Sequence, residues 1–306
     1  MRASLTRRGF LAGALGLASA RSPTAAARDA HQTRLILLGT AGGPTPKKTR
    51  AAPSHVVVSD DRAYVVDCGN GVARQLVLAG VPLASIRHVL LTHHHSDHNA
   101  DYGTLLLLAW GDRLTTRVDT WGPPPLASMT SRFFEMSRPD LDVREKDEGR
   151  PPLAPLVHPH EITRGGLVMK DDRVTVRCCV VDHPLVPLAL AYRFDGPDRS
   201  IVISGDTRRS AALIALAKNA DVLVHEAMYV PRLPSTLSAA VRRHILASHT
   251  PVDEVGLIAA EAGVKTLVLS HFVPAETTQV SDDEWLAAAR ESFPGRILVG
   301  HDLQEI

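Results

Sequence analysis

The sequence is poor in cysteine and in aromatic residues, and its charges nearly cancel. Its three cysteines among 306 residues form no C-x-x-C pair, so we expect Cys68, Cys178 and Cys179 to be small buried side chains rather than a disulfide framework. Aromatic residues make up 4%, which argues against a surface that stacks bases or sugars. With 34 basic and 33 acidic residues, the net charge of +1 creates no global attraction to nucleic acid or anionic lipid.

The N-terminal apolar run is too short to cross a membrane. It covers residues 11–18, well below the ~20 residues that a membrane-spanning helix needs. A twin-arginine pattern, Arg7-Arg8, precedes it and an A-x-A-like sequence, Ala18-Ser19-Ala20, ends it. These features predict a twin-arginine signal peptide over residues 1–27, a periplasmic or secreted protein, and no stable membrane anchoring after cleavage of the signal.

Short β-branched runs and helical patterns fill the rest of the chain. Predicted helices cover residues 71–79, 100–110, 210–219, 252–262 and 282–291, and predicted strands lie before and between them. Strands are neighbours in the first half, whereas strand and helix alternate in the second. This mixture predicts an α/β fold of mixed sheets covered by helices. No low-complexity linker follows residue 30, so we expect one domain over residues 31–306.

A histidine-rich cluster follows the predicted strand at residues 86–91. His93 and His95 are two residues apart, so an extended backbone directs both to one side. Asp97 and His98 follow at a predicted helix start, with Ser96 as the expected N-cap. Imidazole and carboxylate are ligands that suit Zn²⁺ and similar divalent ions, so one turn could serve two metals.

Four other predicted strands also end in groups that can bind a metal. These groups are His183, Asp206, the pair His225-Glu226, and His271. Layered α/β folds usually place their sites at the carboxyl ends of strands. We therefore expect these side chains to join the cluster at residues 93–98.

The order H-x-H-x-D-H, then His, Asp and His resembles the metallo-β-lactamase superfamily, in particular its ribonuclease Z and arylsulfatase branch. The resemblance implies a four-layer αββα sandwich of two mixed β-sheets flanked by helices. It also implies two divalent metal ions, most simply Zn²⁺, with Mn²⁺ or Fe as alternatives because no cysteine is among the ligands. The implied ligands are His93, His95 and His183 for the first metal, Asp97, His98 and His271 for the second, and Asp206 as the bridge.

Two further elements are similar to this branch. His225-Glu226-Ala227-Met228 resembles its His-Glu-Ala-Thr element, and Ser248-His249-Thr250 resembles its His-Ser/Thr element. By resemblance, Glu226 orients His249, His249 donates a proton to the leaving group, and Asp97 accepts a proton from the attacking water. An ester oxygen that leaves as an alkoxide benefits from such a positioned acid.

The predicted activity is that of an exported metal-dependent hydrolase that cleaves sulfate or phosphodiester bonds in a small anionic ester. No tRNA-gripping arm is evident, and an exported protein meets no tRNA precursor, so no nucleic acid partner is expected. Lactonase, thioesterase and β-lactamase activities on the same scaffold stay open, as does a non-catalytic metal-binding protein. A homodimer also stays open. Arg208, Arg209, Arg242 and Arg243 are candidate anion contacts, and residues 111–166 form a candidate lid.

Overall fold

Two seven-stranded β-sheets form the centre of the protein, a computed structural model that describes residues 32–306. In chain order the strands are β1 (Thr33–Gly39), β2 (Ser54–Ser59), β3 (Arg62–Val66), β4 (Ile86–Leu90), β5 (Val118–Gly122), β6 (Val157–Glu161), β7 (Gly166–Lys170), β8 (Thr175–Val181), β9 (Ala189–Asp195), β10 (Ser200–Ile203), β11 (Val222–Met228), β12 (Thr266–Val273), β13 (Arg296–Val299) and β14 (Gln304–Glu305). The first sheet has the order β14-β1-β2-β3-β4-β5-β6 and the second the order β13-β12-β11-β10-β9-β8-β7.

Both sheets are mixed. In the first, β1, β2 and β3 are antiparallel neighbours, and β3 to β6 run parallel. In the second, β7 to β10 are antiparallel, and β10 to β13 run parallel. The predicted arrangement of mixed sheets is therefore confirmed.

The helices connect these strands. They are α1 (Val72–Leu78), α2 (Ser96–Asn99), α3 (Tyr102–Gly111), α4 (Leu126–Met136), α5 (Arg138–Asp147), α6 (Ala211–Leu216), α7 (Ala239–Ser248), α8 (Val252–Ala262) and α9 (Asp282–Arg290). Within the described range, none of them is long and apolar enough to cross a membrane. The predicted signal peptide at residues 1–27 lies outside the residues that the structure describes, and the predicted domain boundaries stay a prediction.

Three hydrophobic cores lie between the four layers, one between the two sheets and one between each sheet and its helices. The core between the sheets contains Tyr64, Tyr192 and Phe194, all fully buried. A second core packs helices on the first sheet, and a third packs α6, α8 and α9 on the second around Trp285. Strands β2 and β11 are buried along their whole length, as expected for strands covered on both faces. The predicted αββα sandwich is confirmed.

The helix start after the histidine cluster differs from the prediction. His95, not Ser96, is the N-cap residue, and Ser96 is the first residue of a single turn, α2. A separate helix, α3, begins at Tyr102 and corresponds to the predicted helix at residues 100–110. Asp97 and His98 are both buried within this single turn.

Candidate metal centre

Loops and strand ends from both sheets bring the predicted ligands together. The first sheet supplies residues 93–98 after β4, and the second supplies His183 after β8, Asp206 after β10 and His271 within β12. Asp67, at the end of β3, fixes the cluster: its carboxylate accepts hydrogen bonds from the Thr92 backbone N–H and hydroxyl and lies 2.8 Å from His98 Nδ1. His94 points elsewhere, with Nε2 2.8 Å from the Pro123 carbonyl, as the alternation of an extended chain requires.

The donor atoms form two overlapping groups. One ligand atom each from His93, His95, His183 and Asp206 lies within 4.8 Å of the others, and the same holds for Asp97, His98 and His271. Asp206 joins the two groups, because its Oδ1 is 3.2 Å from both His98 Nε2 and His271 Nε2, and its Oδ2 is 3.8 Å from His93 Nε2. All seven side chains predicted as ligands are thus brought together.

Several of the donor atoms that face this shared space lack hydrogen-bond partners. Among residues 32–306, the buried unpartnered atoms include His93 Nε2, His98 Nε2, His271 Nε2 and Asp206 Oδ1. Buried polar atoms normally have partners, because leaving one unpaired costs about 1–3 kcal/mol. A divalent cation would satisfy these atoms at once. The residues present therefore fit a metal.

The second nitrogen of several of these rings is held by the protein. His93 Nδ1 lies 3.0 Å from Thr92 Oγ1, His98 Nδ1 is against Asp67, and His183 Nδ1 is 3.1 Å from the Ser248 carbonyl. Contacts of this kind orient metal-binding imidazoles and fix their tautomers. They strengthen the assignment of the facing nitrogens as ligands.

Burial and neighbouring charges hold His93 and Asp206 in the protonation states that bind a metal, whereas at His98 burial is outweighed by the neighbouring carboxylates Asp206 and Asp67, which raise its pKa. Burial lowers the pKa of His93 well below its usual range. Burial opposes ionisation of Asp206, but His271 and His98 outweigh it and hold the pKa of Asp206 well below its ordinary value. Neutral imidazole and ionised carboxylate are the forms that bind metals.

Glu226 and His249 form a buried pair beside the ligands. His249 Nδ1 is 2.8 Å from Glu226 Oε2, and Glu226 Oε1 accepts a hydrogen bond from the Thr207 backbone N–H. Burial disfavours a charged His249, but Glu226 outweighs it and raises the pKa of His249 to about 9. His249 Nδ1 also lies 4.0 Å from Asp206 Oδ2. The pair thus adjoins the ligand Asp206, and the imidazole is held by the carboxylate.

A cavity of about 740 Å³ opens in front of these groups. His95, Asp97, Asp206, His249 and His271 line its floor, and Lys47 and α7 stand at its sides. Apolar side chains of α7 and of residues 273–275 that also line it were missed from sequence. The four-residue spacing of Leu237, Val241 and Ile245 was the available signal.

Other candidate contacts lie elsewhere. Arg208 pairs with Asp182 and Arg209 with Glu261, and neither lines the cavity, whereas Arg242 and Arg243 lie on α7 beside it. The segment 111–166 supplies β5, β6, α4 and α5, and among the described residues it contributes nothing to the cavity lining. Its predicted role as a lid is therefore wrong for this cavity.

Comparison with known proteins identifies the family. Residues 62–272 match the family described as Beta-lactamase superfamily domain. The chain belongs to the beta-lactamase superfamily. The chain is 36% identical over 274 residues to a ribonuclease Z of Mycobacterium sp. (strain KMS). The aligned region covers 89% of the chain and 95% of that relative. The chain is also 34% identical over 275 residues to a ribonuclease Z of Mycobacterium avium (strain 104), covering 89% and 97%.

Solved structures give the same fold. The metallo-beta-lactamase fold protein YhfI from Bacillus subtilis superposes with a TM-score of 0.66 at 21% identity, over 90% of this chain and 98% of that one. Human tRNase Z, short form, also has a TM-score of 0.66 at 21% identity, over 89% and 98%. The predicted family and branch are confirmed. The chain is a metal-dependent hydrolase of ester bonds. The fold binds divalent metals, typically zinc.

The comparisons correct the predicted substrate. Relatives named ribonuclease Z match over nearly their whole length, so the prediction of an exported sulfate or small-ester hydrolase without a nucleic acid partner is wrong. A near-zero net charge and the lack of an evident arm did not predict the substrate correctly, because neither feature describes the residues around the metal centre. The descriptions arylsulfatase-like, Tat signal and periplasmic likewise find no support among these relatives. Where the protein resides stays a prediction.

Proposed function

We propose that this chain is a ribonuclease Z-like phosphodiesterase that hydrolyses RNA at a centre of two divalent metal ions, with Zn²⁺ as the first candidate. The observation that carries the proposal is the convergence of unpartnered buried donor atoms on a space shared through Asp206, directly beside the Glu226–His249 pair. The ribonuclease Z relatives support RNA as the substrate.

His93, His95 and His183 would hold one ion, Asp97, His98 and His271 the other, and Asp206 both. When bound, such ions polarise a phosphoryl oxygen, activate water and stabilise negative charge in the transition state. No cysteine is among these ligands, and the imidazole and carboxylate set suits zinc while leaving Mn²⁺ and Fe as alternatives.

Side chains of the protein carry out the proton transfers. Asp97 accepts a proton from the water that attacks phosphorus. His249, oriented by Glu226 through its Nδ1, donates the proton of its Nε2 to the ribose oxygen as the P–O bond breaks. The water oxygen becomes part of the phosphate product, and the leaving nucleoside gains a hydroxyl. Asp97 and His249 are the catalytic residues, and Glu226 is a positioning residue.

The test compares substrates on the zinc-loaded protein. We expect a tRNA transcript with a single-stranded 3′ extension to be cleaved and p-nitrophenyl sulfate to be left intact. Asp206→Asn should reduce RNA cleavage to background, since it removes the group shared by both ligand sets. Asp142→Asn, which changes an exposed ion pair that does not line the cavity, is the matched control. A folded, zinc-loaded protein that cleaves no RNA would refute the proposal.

A further inference from the structure

The cavity in front of the centre has two apolar walls that phosphodiester hydrolysis does not itself require. One wall consists of Leu237, Val241 and Ile245, which lie four residues apart and therefore share one side of α7 and the turn before it. The opposite wall is the segment 273–275, which follows the ligand His271. Together these six residues form what we call the apolar slot.

The α7 wall of the slot is not packed into the protein. Ser248 is the buried residue of α7, Val241 is 45% exposed, and no apolar side chain of α7 belongs to the hydrophobic cores of the described residues. Leu237 and Ile245 are half-buried, so the wall is partly open to solvent, and apolar side chains that line an open cleft are typical of a binding groove. The opposite wall is firm, because Pro274 and Ala275 are buried.

The position of the slot defines its occupant. An RNA phosphodiester held at the centre carries a nucleoside on each side, and the cavity that adjoins the centre must receive one of them. Its volume of about 740 Å³ lies in the range of small-ligand sites. Lys47 lines the cavity and supplies positive charge for a flanking phosphate, and the carboxylate of Glu276, which also lines it, accepts hydrogen bonds from the Lys48 and Thr49 backbone N–H groups. Single-stranded RNA is commonly recognised through unstacked bases, and apolar side chains can pack against an extruded base without the aromatic stacking that this sequence lacks.

We propose that the apolar slot holds the unstacked base of a nucleotide next to the scissile phosphate. The inference rests on the proposed RNA hydrolysis and names the part of the substrate that the site recognises. It makes Val241 and Ile245 specificity-determining residues that bind substrate without taking part in the chemistry. A base paired in a duplex could not enter, so the cleaved bond must lie in a single-stranded region.

The experiment combines an altered protein with an altered RNA. Single-turnover kcat/KM is measured on the 3′-extended tRNA transcript and on two versions that are abasic at the nucleotide 5′ or 3′ of the cleaved bond. The protein variants are Ile245→Ser and Val241→Ser, with Leu246→Ser as the matched control, since Leu246 is a 43% exposed residue of α7 that does not line the cavity.

For the wild type, we expect one of the two abasic substrates to lose about 10-fold in kcat/KM, the scale of one base contact. Ile245→Ser should lose a similar factor on intact RNA and show little further loss on that abasic RNA, because both changes remove the same contact. Leu246→Ser should behave as wild type. Equal cleavage of intact and both abasic RNAs by the wild type would overturn the inference alone, whereas no cleavage of any RNA would overturn the proposed function with it.

Discussion

A single buried contact, between Glu226 and His249, supports the role proposed for His249. Glu226 is 2% exposed, and protein groups contact both of its carboxylate oxygens. One oxygen accepts a hydrogen bond from the Thr207 N–H, and the other lies against His249. The imidazole is therefore held with Nδ1 inward and its other nitrogen available to the cavity that His249 lines. A competing role exists, because His249, Asp206 and His271 also form a group that could hold a metal.

Replacing His249 by alanine separates these two roles. If His249 is the proton donor, we expect His249→Ala to lower kcat on RNA by about 10²–10⁴-fold with an unchanged metal content per chain. Bis-p-nitrophenyl phosphate should lose much less activity, since its leaving group needs no proton. Steady-state kinetics and metal analysis of the same samples provide the measurements. Loss of metal together with equal losses on both substrates would contradict the donor role.

At the level of elements, sequence periodicity worked where a helix covers a core. The predicted helix at residues 252–262 coincides with α8, because its apolar spacing and the glycine after it act together. The helices α4, α5 and α7 were missed. Each buries only one or two residues, and the apolar spacing that α4 and α7 do carry was not recognised in the sequence. Strand ends predicted which polar side chains converge, since groups directly after neighbouring apolar strands meet at one edge, and the roles of these side chains stay a prediction.

The slot escaped prediction for a different reason. Its walls come from α7 and from residues 273–275, which are adjacent only after the second sheet and its connections have formed. No local pattern reports such a tertiary neighbour. The substrate prediction failed similarly, because it used whole-chain charge where the surroundings of one cavity decide.

Asp221 connects the starts of three neighbouring strands through hydrogen bonds. Its carboxylate accepts hydrogen bonds from the Ser200 backbone N–H at 2.7 Å and from Lys265 Nζ at 2.6 Å, so β10, β11 and β12 share one anchor. Burial would raise its pKa, but the bonds from Lys265 and Ser200 outweigh it and lower the pKa of Asp221 to about 2. An ordinary aspartate titrates near 3.9.

This anchor predicts a pH-dependent contribution to stability. Because the folded pKa lies below the unfolded one, the stabilisation is complete above about pH 4 and is lost as pH falls toward about 2. Asp221→Asn should lower the free energy of unfolding by about 1 kcal/mol at pH 7, and the difference from wild type should shrink between pH 4 and pH 2. Urea unfolding followed by circular dichroism measures both. Asp142→Asn is the exposed control, and a difference that is constant with pH would refute the prediction.

For the whole molecule, metal binding and folding should be linked. The buried donor atoms at the centre are arranged in the folded state and separate on unfolding, so a metal binds the folded chain preferentially. At a free Zn²⁺ concentration of 100 times Kd, the gain is about 2.7 kcal/mol, which corresponds to a Tm rise of roughly 5–10 °C for a chain of this size.

Thermal scans with excess EDTA and with buffered Zn²⁺ would measure this shift. The wild type and Asp142→Asn should gain the same Tm on zinc addition. Asp206→Asn should gain clearly less, since both ligand groups lose their shared member. An equal zinc-dependent Tm rise in Asp206→Asn would place the stabilising metal elsewhere on the protein.

The proposed ligands come from two sheets, and most strands of each sheet belong to one half of the chain. His93, His95, Asp97 and His98 follow the first sheet, whereas His183, Asp206 and His271 belong to the second. Neither sheet supplies all the proposed ligands of one metal, so a bound ion would connect the two halves of the sandwich. Loosening of the sheet interface would release the ion while each sheet kept its own hydrogen bonds. Metal loss would then report the first step of unfolding, and catalysis would stop before any strand has melted.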